Sequence, residues 1–183
     1  MMMERVRLVF SGSGGQGVIT AGIILAEAAV LYEQRMATQT QTYGPEARGG
    51  ATRSDVIISD SEIFFPKVTQ PNILVCLTQE AYMKFYDIVR PGGFLLSDSR
   101  YVTVLSNVDS KQVELPMHGT VMKEMGHDKA YNICVLGAVL GLTDIVRPDS
   151  VLKVIEKRFP SDGFDQNRKA FYLGMELAEK AHI

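Results

Sequence analysis

The sequence predicts an α/β domain with a mixed but mostly parallel sheet and a helical C-terminal part. Three observations carry that expectation. Short apolar strands alternate with helix-length segments through the first half of the chain, a glycine-rich turn joins the first strand directly to the first helix, and the last third reads as consecutive helices. With 183 residues, 46% of them hydrophobic and 22% charged, the chain has the proportions of one domain spanning 1–183. A chain of this length buries about 70% of the surface its unfolded form exposes, so no metal or disulfide staple is required. No internal repeat, low-complexity tract or linker divides it.

Arg5 to Phe10 reads as a short buried strand that runs into Ser11-Gly12-Ser13-Gly14-Gly15-Gln16-Gly17. A helix follows from Val18 to Leu31. Its positions are almost all apolar, Thr20 and Glu27 being the main exceptions, which predicts cover on most of its sides. Met36 to Thr40 is a second strand candidate. From Thr38 to Asp55 Tyr43 is the only large apolar residue, so this stretch is expected to supply no core, with Gly44-Pro45 and Gly49-Gly50 as turns. Thr52 to Ile58 resumes as a strand, and Asp60-Ser61 is expected to turn it back onto Ile63 to Phe65 as a hairpin. Ile73 to Leu77 is another buried strand, Gln79 to Val89 a helix, Arg90-Pro91-Gly92-Gly93 a turn and Phe94 to Ser97 a strand. Helices are then expected over Gly119 to Met125, Tyr131 to Leu142, Pro148 to Arg158 and Gln166 to Ala181, the last capped by Asp165.

The charge balance removes several function classes. Nineteen basic residues face 21 acidic ones for a net charge of -2, which lacks the basic excess that nucleic acid or an anionic membrane surface attracts. Two cysteines, Cys76 and Cys134, sit far apart in apolar runs and read as buried thiols; with three scattered histidines they cannot build an iron-sulfur cluster or a structural zinc site. His118 and His127 show neither metal-ligand spacing nor a carboxylate partner and read as helix-face or surface histidines, and Ser11 and Ser13 belong to no recognisable nucleophile triad. No secretion signal or membrane-length apolar run is visible, which points to the cytoplasm.

Two constellations carry chemistry. Gly12, Gly14 and Gly17 fit G-x-G-x-x-G between a strand and a helix, a Rossmann-like unit in which glycines permit close backbone approach and the helix N-terminus offers free N–H groups to an anion. Ser13, Gly15 and Gln16 complete the loop. A dinucleotide site also demands an acidic residue at the end of the second strand, whereas Ala37 to Thr42 contains none before Glu46; Val18 after Gly17 likewise excludes a P-loop. A glycine turn serving only strand–helix packing is the alternative. The second constellation is Tyr43-Gly44-Pro45-Glu46-Ala47-Arg48-Gly49-Gly50, in a core-free stretch of a length that compact domains seldom carry without a task, a merely solvated surface loop being the alternative. Arg48 suits a phosphate or carboxylate through its planar fork, and Glu46 would orient it or meet a partner.

Together the Gly12 to Gly17 loop, the Tyr43 to Gly50 motif, the strand from Ser54 to Ser59 and the Asn132 to Leu142 helix with its Leu-Gly-Ala resemble the gamma subunit of 2-oxoacid:ferredoxin oxidoreductases, over nearly the whole chain. The Gly-Pro-Glu-Ala-Arg-Gly-Gly form is most similar to the 2-oxoglutarate type; pyruvate or branched-chain specificity is the alternative within the family. The resemblance implies a Rossmann-like three-layer sandwich in a complex that oxidatively decarboxylates a 2-oxoacid to its acyl-CoA and passes electrons to ferredoxin or flavodoxin. Thiamine diphosphate, Mg and iron-sulfur clusters are then expected on partner alpha, beta and ferredoxin-like delta subunits, because this chain lacks their Gly-Asp-Gly and cysteine signatures; Ser161-Asp162-Gly163 is only an isolated approximation. For this chain the implied role is scaffolding and contact with coenzyme A through Gly12, Ser13, Gly14, Gly15, Gln16, Gly17, Tyr43, Gly44, Glu46, Arg48 and Gly49. A free-standing Rossmann-type oxidoreductase and a non-catalytic assembly module are the competing readings.

Overall fold

Arg5–Gly12 (β1) is the strand on which the sheet is built. It pairs antiparallel with Thr52–Ser59 (β3) and parallel with Ile73–Cys76 (β4), and from Leu8 onward every residue is buried. A strand covered on both faces reads as a continuous apolar run, which is why Leu8-Val9-Phe10 shows no alternation. The computed structural model describes residues 5–43 and 50–181. Its sheet has the order β2-β3-β1-β4-β5-β6, with Met36–Thr42 (β2) and Lys111–Leu115 (β6) at the edges and Phe94–Asp98 (β5) beside β4. β3 runs against both its neighbours and the remaining pairs are parallel, so five strands point one way. The mixed, mostly parallel sheet is as expected.

Strand alternation divides the core between two faces. Leu8, Phe10, Val75 and Leu96 lie in one cluster with Val18–Glu33 (α1), Met117–Met125 (α3), Tyr131–Gly141 (α4), Pro148–Arg158 (α5) and Asp162–Lys180 (α6). Val9, Ile57, Leu74, Cys76 and Leu95 lie in the other, under Gln79–Phe85 (α2). Among the described residues three layers result, one face carrying five α-helices and the other one. α1 is sandwiched between the sheet and the α4 and α5 helices, which accounts for its nearly uniform apolar composition. α4 and α6 pack so closely that glycine is required at the contact: a Cβ on Gly174 would overlap the Cys134 carbonyl oxygen, and one on Gly137 the Phe171 carbonyl oxygen.

Several expectations are corrected. Ile63 to Phe65 forms no strand, and Phe64 and Phe65 are 85% and 63% exposed. Both edges of β3 are already taken by β1 and β2, so no edge is left for a hairpin partner. The polar stretch from Thr38 is not empty of core: β2 and β3 extend into it, and Ala51, Thr52, Ser54 and Asp55 are buried. Asp55 tolerates burial because its carboxylate accepts bonds from Arg53 and from Val68 N at 2.8 Å. β6 carries little sequence signal because Lys-Gln-Val-Glu-Leu buries only Val113 and Leu115. The final helix begins at Asp162 after Ser161, so Asp165 lies inside it and pairs with Arg168 at 3.2 Å. The expected helix to Val89 ends as α2 at Phe85 and finishes in a 3₁₀ turn, Tyr86–Ile88.

Both cysteines are free and fully buried. Burial pushes the Cys76 thiol up from the ordinary 9.0 to about 12, against a lowering hydrogen bond from Ser11. Cys134 is likewise pushed to about 12, by burial and then by the Asp98 charge.

Two predictions follow from this packing. Gly174→Ala should lower the unfolding free energy by about 3 kcal/mol through overlap with fixed backbone. Gly119→Ala, in α3 with nothing within 4 Å of the new methyl, should raise it by about 0.5–1 kcal/mol; urea unfolding of the two variants checks both signs. Folded thiols that keep their protons to about pH 12, when unfolded ones lose theirs near 9, contribute stability that is complete below pH 9 and lost as pH rises toward 12. Unfolding free energy should therefore decline above pH 9 by up to roughly 1.4 kcal/mol per pH unit for each thiol, and Cys76→Ala with Cys134→Ala should flatten that decline.

Candidate functional site

The carboxyl end of β1 delivers the chain into the glycine loop, beside the end of β4. Gln16 ties the loop to itself and to the sheet: its Oε1 accepts from Ser13 N at 2.8 Å and its Nε2 donates to Leu77 O at 3.3 Å. Gly12 leaves room for that side chain, since a Cβ there would meet Gln16 Oε1 and push it aside. Gly14 and Gly15 face open space. Gly17, at φ 75° and ψ 20°, caps α1 in the left-handed region that glycine enters without penalty.

α1 starts without a side-chain cap and without an acidic residue in its first turn. The amides of Val18, Ile19 and Thr20 have no carbonyl a turn below them to bond, and the partial positive charge of the helix end is uncancelled. The loop and the first turn of α1 border a cleft of about 850 Å³, which Gly17 and Thr20 line. Ser13, Gly15, Gln16, Gly17 and Thr20 form one wall; Tyr101, His118, Asp128, Lys129, Tyr131 and Asn132 form the other. Backbone amides and Lys129 can donate to a phosphate-bearing ligand here, beside the exposed Asp128 carboxylate on the same lining.

The far wall is organised by Asp98, at the end of β5 and fully buried. Its Oδ1 accepts from Arg100 N at 2.9 Å; its Oδ2 accepts from His118 N at 2.7 Å and from the Tyr131 hydroxyl at 2.8 Å. One carboxylate thereby joins the starts of α3 and α4, and for α3 it provides the acceptor that Pro116 cannot. Burial first, then the charge and hydrogen bond of Asp98, hold the Tyr131 phenol protonated far above its usual range. His118 lies edge-on between Tyr101 and Tyr131, with ring centroids 5.1 and 5.3 Å away. Contrary to expectation it has a carboxylate nearby, Asp128 Oδ2 at 3.7 Å from Nε2, and it is buried.

Of the residues expected at the site, the glycine loop from Gly12 to Gly17 is assembled as one unit. Tyr43 lies elsewhere: it is 63% exposed, follows β2 and lines a separate cavity of about 330 Å³ with Arg53, Lys67 and Lys84. Gly44, Glu46, Arg48 and Gly49 lie outside the described residues. Asp98, Tyr131 and Asn132 were missed, although an Asp at the carboxyl end of a parallel strand stands where α/β sheets place their sites. A cavity of about 510 Å³ near Arg90–Gly92 and Asn107–Ser110 precedes β5 and β6, at the other end of the parallel strands. Strand order also separates this site from a dinucleotide one: β3 intervenes between β1 and β2, so the end of β2 is not adjacent to the loop. Among the described residues no group of three or more His, Cys, Asp or Glu side chains is placed to hold a metal ion, and no helix is long and apolar enough to cross a membrane.

Comparison with known proteins agrees with this architecture. The model of the pyruvate ferredoxin/flavodoxin oxidoreductase family matches residues 7–177. Subunit KorC of 2-oxoglutarate synthase from Methanocaldococcus jannaschii is 44% identical, over 98% of this chain and 96% of the relative. Subunit PorC of pyruvate synthase from Methanothermobacter thermautotrophicus is 29% identical over 97% of this chain and 98% of its own. The crystal structure of the gamma subunit of a keto/oxoacid ferredoxin oxidoreductase from Geobacter sulfurreducens superposes with a TM-score of 0.88 at 41% identity, covering 97% of this chain and 98% of that one. The chain belongs to the pyruvate ferredoxin/flavodoxin oxidoreductase family and is of its gamma-subunit type.

Proposed function

We propose that this chain is the gamma subunit of a multi-subunit 2-oxoglutarate:ferredoxin oxidoreductase and that its glycine loop receives phosphate groups of coenzyme A. The carrying observation is the uncapped start of α1 opening into the 850 Å³ cleft. CoA, when bound, supplies the thiol that takes the acyl group released by oxidative decarboxylation. This chain's residues bind and orient: the amides of Val18, Ile19 and Thr20 donate to phosphate oxygens, Lys129 adds positive charge from the facing wall, and Gln16 keeps the loop in shape. Arg48 is assigned to the same anion by its motif.

The 2-oxoglutarate preference is supported by 44% identity to a 2-oxoglutarate synthase subunit against 29% to a pyruvate synthase subunit. Thiamine diphosphate, Mg and the iron-sulfur clusters are assigned to alpha, beta and delta-type partners, with ferredoxin or flavodoxin as electron acceptor and the cytoplasm as compartment. Buried, free Cys76 and Cys134 suit no cluster on this chain.

In the assembled complex, 2-oxoglutarate- and CoA-dependent reduction of a viologen dye should exceed the rate with pyruvate. Thr20→Glu, which sets a carboxylate among the α1 donors, should raise the KM for CoA about ten-fold with little change in kcat. Arg48→Ala should raise it roughly ten- to a hundred-fold, the loss of one charge-assisted pair at about 1.5–3 kcal/mol. A KM for CoA unmoved by either substitution overturns the assignment of the loop.

A further inference from the structure

Asn132 stands where the folded core meets the glycine loop. Its Nδ2 donates to the Gly17 carbonyl at 3.2 Å, the same oxygen that accepts the first helical bond of α1 from Ala21 N at 3.0 Å. The contact is also steric. A Cβ at Gly17 would lie 2.6 to 2.8 Å from Nδ2, Cγ and Cβ of Asn132, so the side chain lies directly against the bare Gly17 Cα.

The Gly17 carbonyl and the Val18 N–H are two ends of one peptide plane. Because that plane is rigid, holding the oxygen at one end sets the direction of the N–H at the other. Val18 N–H is the first of the uncapped amides. Asn132 is itself well held: the adjacent Tyr131 hydroxyl bonds Asp98 Oδ2 at 2.8 Å, a fully buried carboxylate already engaged by two backbone amides.

We propose that Asn132 is a positioning residue for the anion site: it locks the Gly17–Val18 peptide plane so that the first amides of α1 are aimed before the ligand arrives. The proposal rests on the loop's role in CoA binding and adds a residue that neither glycine motif contains. Order supplied in advance by the fold is not charged against ligand affinity, so its loss should appear in the KM for CoA and not in the chemical step.

The test uses the assembled complex with Asn132→Ala, Asn132→Asp and, as a control on the loop itself, Thr20→Glu, each assayed by viologen reduction over a range of CoA. Asn132→Ala is expected to raise the KM for CoA roughly five- to ten-fold, the loss of one hydrogen bond, with kcat and the KM for 2-oxoglutarate unchanged. Asn132→Asp keeps the shape and suits the first turn of α4, so it should fold where the alanine variant fails to. It sets a carboxylate oxygen against the Gly17 carbonyl and should raise the KM further. If both Asn132 variants leave the KM for CoA unchanged while Thr20→Glu raises it, the positioning role is overturned and the anion site stands. If none of the three raises it, both readings are overturned. A parallel fall in kcat with a raised KM for 2-oxoglutarate means general structural damage and also overturns the proposal.

Discussion

A buried carboxylate held by backbone amides and a phenol is the constraint around which this end of the molecule is arranged. Asp98 is inaccessible to solvent and meets its charge with two backbone amides and one phenol. Bonds to a charged acceptor contribute about 1.5–3 kcal/mol each, and an unmatched buried charge costs several. Arg100, His118 and Tyr131 must therefore stay in place together. They belong to the turn after β5, the start of α3 and the start of α4, so a single side chain fixes the origin of two helices relative to the sheet.

From the start of α4 the constraint passes in two directions. Along the helix, Gly137 lets α4 lie against the backbone of α6, where Gly174 does the same in return. Across the cleft, Asn132 reaches Gly17 and ends at the first peptide of α1. The glycine loop is thus supported from below by Gln16 and from the side by Asn132. Its open positions, Gly14 and Gly15, are the ones with nothing near them. Rigid supports with a bare centre are what a backbone anion site requires.

Much of the fold was legible because it follows from local pattern. The β1–loop–α1 unit, the later helices and strands β4 and β5 all announce themselves by apolar periodicity and turn residues. What was not legible depends on pairing at a distance. β3 looks like half of a hairpin until β1 and β2 are seen to occupy both its edges. β6 carries only two buried residues, too few to outweigh Lys111 and Glu114. The site divides in the same way. Glycines between a strand and a helix are a local signal, whereas Asp98 reveals itself only once Tyr131 and His118 are folded onto it from 33 and 20 residues away. Tyr43, read as part of the same site, belongs to another cavity because β3 separates β2 from the loop.

The proposed role of the glycine loop depends on whether atoms of this chain meet CoA. A crystal structure of the assembled complex with CoA bound answers it directly. The account predicts phosphate oxygens about 2.7–3.2 Å from the amide nitrogens at the start of α1, with the Asn132–Gly17 bond intact. CoA bound with its phosphates away from this helix end would contradict it.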